Sequence, residues 1–389
     1  MNMINRYRPL LALYGAALLQ GLVLVSFPAS SAVLRHMHGF SEAQYGAIFL
    51  PQVLLAVVGA LAGSALAGRL SLKKLLLVSL AANALSQLAL FASPELSTSA
   101  YICILFATGC LGLGFGLSGA PLNSLPGLLF PARRDTALIA VHSSMGAGLM
   151  LGPLLVGWMA AAGLWRAFPS GLLLLLLVLC WFISGTTLPD ERRHDDNPPP
   201  PLAQLLVSAW PLLLIAVLYA LSEGIFSNWA VIYLHEGRTV PEMTATLALS
   251  AFWGALVAGR LLATLLLLKL RAQLLWLALP PLMLVAFWLL PYINSGHSGV
   301  LLYALGGLAC SAFFPLTVAI AVRIHPRQAA ALSSLLTAAL MLGVGAGSFL
   351  IGLLKQSLDW NSLYHLAALF PLLALVLAAF VVFHERAKL

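Results

Sequence analysis

Long apolar stretches alternate with short polar connectors along the whole chain, at approximately 8–34, 44–67, 75–93, 100–126, 137–161, 165–187, 208–234, 243–268, 272–291, 298–322, 331–354 and 362–383. A helix rises 1.5 Å per residue, so a hydrocarbon layer about 30 Å thick takes roughly 20 residues to cross. Each stretch has about that length, and the pattern predicts twelve transmembrane helices. The first stretch passes Ser30-Ser31-Ala32, which resembles a signal-peptide cleavage site. It outruns the roughly 7–15 apolar residues of such a segment, and eleven further stretches follow, so it is read as helix one.

The longest polar connector, PDERRHDDNPPPPL from Pro189 to Leu202, combines mixed charges with four consecutive prolines, the composition of an extended, solvated linker. It divides the spans six and six. The expected organisation is an N-terminal bundle over 1–188, a cytoplasmic linker over 189–206 and a C-terminal bundle over 207–389. The halves repeat each other. A shift of 195 residues aligns Gly59-Ala60-Leu61 with Gly254-Ala255-Leu256, Pro131 with Pro326, Gly148 with Gly343, the run Gly152–Gly157 with Gly347–Gly352, and Trp165 with Trp360. Gly148, Gly152, Gly343 and Gly347 sit where helix backbones are expected to approach closely, since lipid supplies no hydrophobic drive between helices and small residues permit contact. Six plus six helices in parallel repeats is the plan of transporters that rock two halves around a central cavity.

Composition narrows the picture. Of 389 residues 61% are hydrophobic and only 8% charged, which excludes a soluble domain. The net charge of +8 is spread over connectors rather than gathered on one surface, so no nucleic-acid partner is expected. Its distribution orients the chain: with both termini cytoplasmic, fifteen of the twenty Lys and Arg fall on the inner side and four, Arg35, Arg166, Arg238 and Lys355, on the outer. Arg260 alone lies within a span. The four cysteines sit inside spans without CxxC spacing or neighbouring histidines, so neither a metal nor a disulfide is expected.

The connector after the second span, Gly68-Arg69-Leu70-Ser71-Leu72-Lys73-Lys74, the HSSMGAGLMLGPLLVG run from His142 and the WRAF run from Trp165 together resemble the major facilitator superfamily, over the whole chain. The loop is similar to that family's glycine and basic loop but has no aspartate, so Gly68, Arg69 and Lys73 are carried over as structural or gating residues without its salt bridge. More narrowly, Tyr219–Leu234, Phe252-Trp253-Gly254 and Gly259-Arg260 resemble the branch that contains fucose-type sugar/proton symporters. That resemblance implies an all-α membrane protein of two pseudo-symmetric six-helix bundles and a coupled small-solute transporter. The acidic residues that such symporters carry in helices one and four have no counterpart here, so their coupling does not transfer.

Chemistry inside the spans is sparse. Eleven of the twelve acidic residues lie in connectors or at helix ends, and Glu223 alone is intramembrane. A buried carboxylate must face the bundle interior, take up a proton or find a cation. Glu223 is therefore the candidate proton-coupling group, against a structural role tying helix seven to a neighbour or direct contact with a cationic solute. Helical spacing sets Tyr219, Glu223 and Ser227 on one stripe, with Phe226 and Trp229 on the adjoining one, a substrate-facing surface or a packing face. Arg260 needs a partner: Glu223, backbone carbonyls, or water reached by snorkelling. His142, two turns into helix five, either titrates or bonds a solute hydroxyl, or simply packs. Gln20, Gln52, Asn123, Asn228 and Thr337 complete the candidate substrate-binding set.

With so little charge, the solute expected is neutral or weakly polar and held by hydrogen bonds and aromatic faces. No Walker-type phosphate loop is present, so ATP is not the expected energy source, and no nucleophile–base constellation suggests an enzyme or a cofactor. The expected partners are a small solute, protons and membrane lipid, and the expected state is a monomer in the bacterial inner membrane. Three functions stay open: proton-coupled uptake of a sugar-like solute by alternating access, efflux of an amphiphilic compound, and a receptor or assembly role on the same fold.

Overall fold

A computed structural model describes residues 3–67, 70–189, 202–325 and 328–386. Gly68, Arg69 and most of the 189–206 linker lie outside the described residues. The described chain is helical, without strands, because a backbone in hydrocarbon must satisfy its own N–H and C=O groups. The twelve spans are Tyr7–Leu24, Glu42–Gly63, Leu72–Glu95, Ala100–Leu129, Thr136–Ala161, Ala167–Ser184, Leu205–Asn228, Glu242–Leu266, Ala272–Tyr292, Gly296–Ile324, Ala331–Leu354 and Trp360–His384, called helices one to twelve below. This is a multi-pass membrane protein with the expected number of crossings.

The chain forms two compact units. One comprises Met1–Ser41 and Ile48–Asp195; the other comprises Asp196–Leu389 together with the six residues Glu42–Ala47. The division after Asp195 falls inside the linker, while the start of helix two packs with the second unit.

Polar residues set the helix ends. Ser71 caps helix three by accepting from Lys74 N at 3.3 Å. Ser295 and Ser298 form a capping box at helix ten, and Asp359 accepts from Ser362 N at 3.1 Å at helix twelve. Prolines set the breaks. The first apolar stretch, expected to run unbroken over 8–34, forms a helix to Leu24 and then two short helices, Ser26–Ala29 and Ser31–His38. Pro28 has no N–H for the Leu24 carbonyl, which ends the regular ladder there. Helix ten likewise ends its first segment at Cys310 and resumes at Phe313, because Pro315 cannot bond the Ser311 carbonyl.

Glycines bring the helices of each unit together. A Cβ on Gly148 would lie 2.1 Å from the Leu18 carbonyl of helix one, and one on Gly152 would lie 2.3 Å from Val25. In the second unit a Cβ on Gly343 would meet Ala220 at 2.5 Å, and one on Gly347 the Leu221 carbonyl at 2.7 Å, both on helix seven. Helices two and four touch where Gly112 meets the Gln52 carbonyl, and helices eight and ten where Gly307 meets the Phe252 carbonyl. These pairs refine the repeat. Gly112 and Gly307 differ by 195 residues, but their partners Gln52 and Phe252 differ by 200, so Gly59 corresponds to Gly259 rather than Gly254. Helix two lies five residues farther from helix four along the chain than helix eight does from helix ten, which a single fixed shift conceals.

Candidate functional site

Helix seven carries the intramembrane carboxylate. Tyr219 and Glu223, four residues apart, are neighbours on one helical face and interact electrostatically. Glu223 is half-buried. Tyr219 is fully enclosed and donates its hydroxyl proton to the Cys310 carbonyl at 3.0 Å. Arg260 on helix eight is exposed, and its Nε donates to the Ser311 carbonyl at 3.1 Å. Both acceptors belong to the break in helix ten that Pro315 imposes. The kink frees two consecutive carbonyls, and helices seven and eight each present a donor to one of them.

Gly259 makes room for this arrangement, since a Cβ there would lie 2.5 Å from Ser311 Oγ. Glu223 and Arg260 interact electrostatically without a direct ion pair, which the described residues of this cluster do not form. Of the partners the sequence allowed for Arg260, a backbone carbonyl is the one in contact. Tyr219, Glu223, Arg260 and the two carbonyls thus make one polar cluster inside the second unit.

The rest of the helix-seven stripe is packed. Phe226 stacks on Phe287 with ring centroids 4.0 Å apart and on Phe252 at 5.8 Å, with Tyr303 edge-on. Helix seven breaks at Trp229, whose Nε1 donates to the Ser348 carbonyl at 3.0 Å while Asn228 Nδ2 donates to Ser348 Oγ at 2.7 Å. Tyr45, from the six-residue segment of helix two that packs in this unit, donates to the Asn228 carbonyl at 3.0 Å and meets Trp229 edge-on. Phe226, Asn228 and Trp229 are therefore enclosed by their own unit. Thr337, by contrast, is exposed on helix eleven.

In the first unit the candidates separate in the same way. Gln20 is buried and accepts from Asn83 Nδ2 at 2.8 Å, inside the contact of helices one and three. Asn123 is exposed and pairs with His142 Nε2 at 3.1 Å, joining helices four and five. His142 and Thr337 are 195 residues apart, the same shift that relates Gly148 to Gly343 on these helices. The repeat thus sets one polar residue at the same level in each unit. Gln52 is half-buried and its Oε1 has no partner among the described residues. Lys73 donates to the Ser184 carbonyl at 2.7 Å, capping the end of helix six.

One residue escaped the sequence reading. Trp253 on helix eight is half-buried, and its Nε1 is the donor of a large side chain left without a partner among the described residues. Its position in the Phe252-Trp253-Gly254 run was visible, but which tryptophans have satisfied N–H groups depends on tertiary contacts.

The comparisons with known proteins follow this geometry. A family model described as the Major Facilitator Superfamily matches residues 10–306 and 212–389. Among solved structures, the chain resembles the nucleoside transporter NupG in a mutant form, with TM-score 0.80 and 15% identity over 95% of this chain and 98% of that one. It also resembles a D-xylose–proton symporter, with TM-score 0.74 and 15% identity over 97% of each chain. FucP in its outward conformation gives TM-score 0.62 and 14% identity over 96% of this chain and 99% of that one. Among curated proteins no sequence matches.

Proposed function

Because the chain belongs to the major facilitator superfamily and is a membrane transporter rather than an enzyme, we propose that it carries a small, neutral or weakly polar solute across the bacterial inner membrane by alternating access, coupled to protons through Glu223. The observation that carries this reading is the polar cluster of helix seven: a half-buried carboxylate one helical turn from Tyr219, beside an arginine that holds the field without neutralising it by contact. A nucleoside transporter and a D-xylose–proton symporter share the fold, and the uncharged polar groups exposed here suit solutes of that kind.

The Tyr219 hydroxyl has one proton. Given to the Cys310 carbonyl, as observed, it leaves the phenolic oxygen to accept from a protonated Glu223. Given to an ionised Glu223, it abandons that carbonyl, which the Pro315 kink has already deprived of a regular helical setting. Proton loading at Glu223 is thereby tied to the hydrogen bonding of the broken segment of helix ten, a local two-state element of the kind a coupled transporter requires. Arg260, anchored on the next carbonyl, stabilises the ionised form from a fixed position. Gln52, Asn123 and His142 within the first unit, and Thr337 and Trp253 within the second, offer uncharged hydrogen-bonding groups to a solute, while Gln20 in the first and Phe226, Asn228 and Trp229 in the second hold the helices of their own unit.

Purified protein in proteoliposomes tests the reading. A solute found by thermal stabilisation is added on one side and internal pH is followed with a trapped dye. Solute-dependent proton movement that drives uphill accumulation supports proton coupling; accumulation that is blind to the pH gradient, or no solute movement at all, contradicts it.

A further inference from the structure

At the end of the second unit where helix seven begins and helices ten and twelve finish, a groove of 230 Å³ is lined by Ser208, Trp210, His325, Phe380 and His384 over a floor of Leu212 and Val381. It lies far along helix seven from Glu223 and takes no part in the site above. We infer that this groove binds the anionic headgroup of a membrane phospholipid. Its walls have the two characters that ligand needs. His325 and His384 stand at the ends of helices ten and twelve and Ser208 on the first turn of helix seven, offering nitrogen and hydroxyl groups to phosphate oxygens. Trp210 and Phe380 continue outward as an apolar face for the glycerol and the first acyl carbons.

Charge selects the anionic lipid over a zwitterionic one. Arg323, on the last turn of helix ten two residues before His325, is exposed and has no partner among the described residues. Lys269 and Arg271 stand exposed at the same end of the unit. The carboxylates Glu236, Glu242 and Asp359 are at the opposite ends of their helices; at this one the sequence sets Glu385 and the acids of the linker before helix seven, so the charged side chains described beside the groove are basic. The groove also opens where a lipid is: Val207 and Phe383, on the two helices that flank it, are 77% and 67% exposed, as side chains facing hydrocarbon are. A tryptophan at the helix end, basic groups beside it and apolar surface beyond it place the groove at the headgroup level.

Delipidated protein is titrated with phosphatidylglycerol and, separately, with phosphatidylcholine, and bound lipid is counted by native mass spectrometry. Phosphatidylglycerol is expected to be retained in preference. Arg323→Gln weakens that retention about fivefold, on the order of 1 kcal/mol for one basic contact, and the double variant His325→Ala/His384→Ala, which removes two hydrogen-bonding side chains, about tenfold. Lys269→Gln, at the same basic end but outside the groove, changes it less than twofold. Trp210→Leu serves should the double variant not fold, and is expected to weaken binding of the lipid. Equal retention of both lipids, an equal loss in Lys269→Gln and Arg323→Gln, or full competition by glycerol 1-phosphate without acyl chains would each overturn the assignment.

Discussion

Glu223 and Tyr219 are informative because each has a partner that the other needs. Replacing Tyr219 by Phe keeps the ring among Phe313 and Phe314 but removes the donor to the Cys310 carbonyl. The enclosed carbonyl then lacks a partner, and stability is expected to fall by about 1–3 kcal/mol in a thermal or denaturant melt. Transport should slow further than that loss explains, since proton loading no longer reaches helix ten; a Tyr219→Phe protein that is less stable yet fully coupled would reduce the residue to packing. Asp359 gives a second prediction at this scale. Hydrogen bonds from Ser362, side chain first and backbone second, hold its carboxyl below the ordinary range. A depressed carboxylate contributes stability that is present above its unfolded value and is lost as pH falls through the folded one. Asp359→Asn keeps the cap, so it should match the parent in strong acid and remove this part of the acid sensitivity, which falls between the ordinary carboxylate range and the lower folded value. Melts that decline equally with pH in both proteins would count against it.

Elements were legible in the sequence to the extent that their causes are local. Twelve apolar stretches gave twelve spans because length and hydropathy decide a crossing, and glycine rows marked the closest contacts because only glycine lets two backbones touch. Pro28 and Pro315 were visible too, yet what their kinks release was not: the partner of Arg260 is a backbone carbonyl, and no side-chain pattern announces a free carbonyl. The break at Trp229 has neither proline nor glycine at it and rests on contacts with Ser348 that form only in the fold. For the same reason the stripe Phe226, Asn228 and Trp229 was ambiguous by period alone, and only tertiary packing separated enclosed residues from exposed ones. The glycine contacts are themselves testable. Gly148→Ala must part helices one and five and should cost about 1–3 kcal/mol, whereas Gly171→Ala, with nothing within 4 Å of the added carbon, should gain up to about 1 kcal/mol from helix propensity. Equal melting temperatures for the two would refute the close-packing role.

At the scale of the whole molecule, the sequence duplicates a six-helix unit and then lets the copies diverge in charge. The intramembrane carboxylate and arginine are both in the second copy, while the first offers the hydrogen-bonded pair Asn123 and His142 at the level where the second has Thr337. Orientation comes from the basic connectors, so a cysteine at Lys269 should react with an impermeant thiol reagent from the cytoplasmic side and one at Gln356 from the opposite side. Labelling of both from one side would break the positive-inside assignment.

The most direct test of the account is Glu223→Gln, which keeps the shape of the protonated residue and removes its ability to release a proton. The variant should fold, bind solute and exchange labelled for unlabelled solute across proteoliposome membranes at nearly the parent rate. Under an imposed pH gradient it should fail to accumulate solute above equilibrium. Full gradient-driven accumulation by a stable Glu223→Gln protein would contradict the central claim, and proton coupling would then have to be sought outside helix seven.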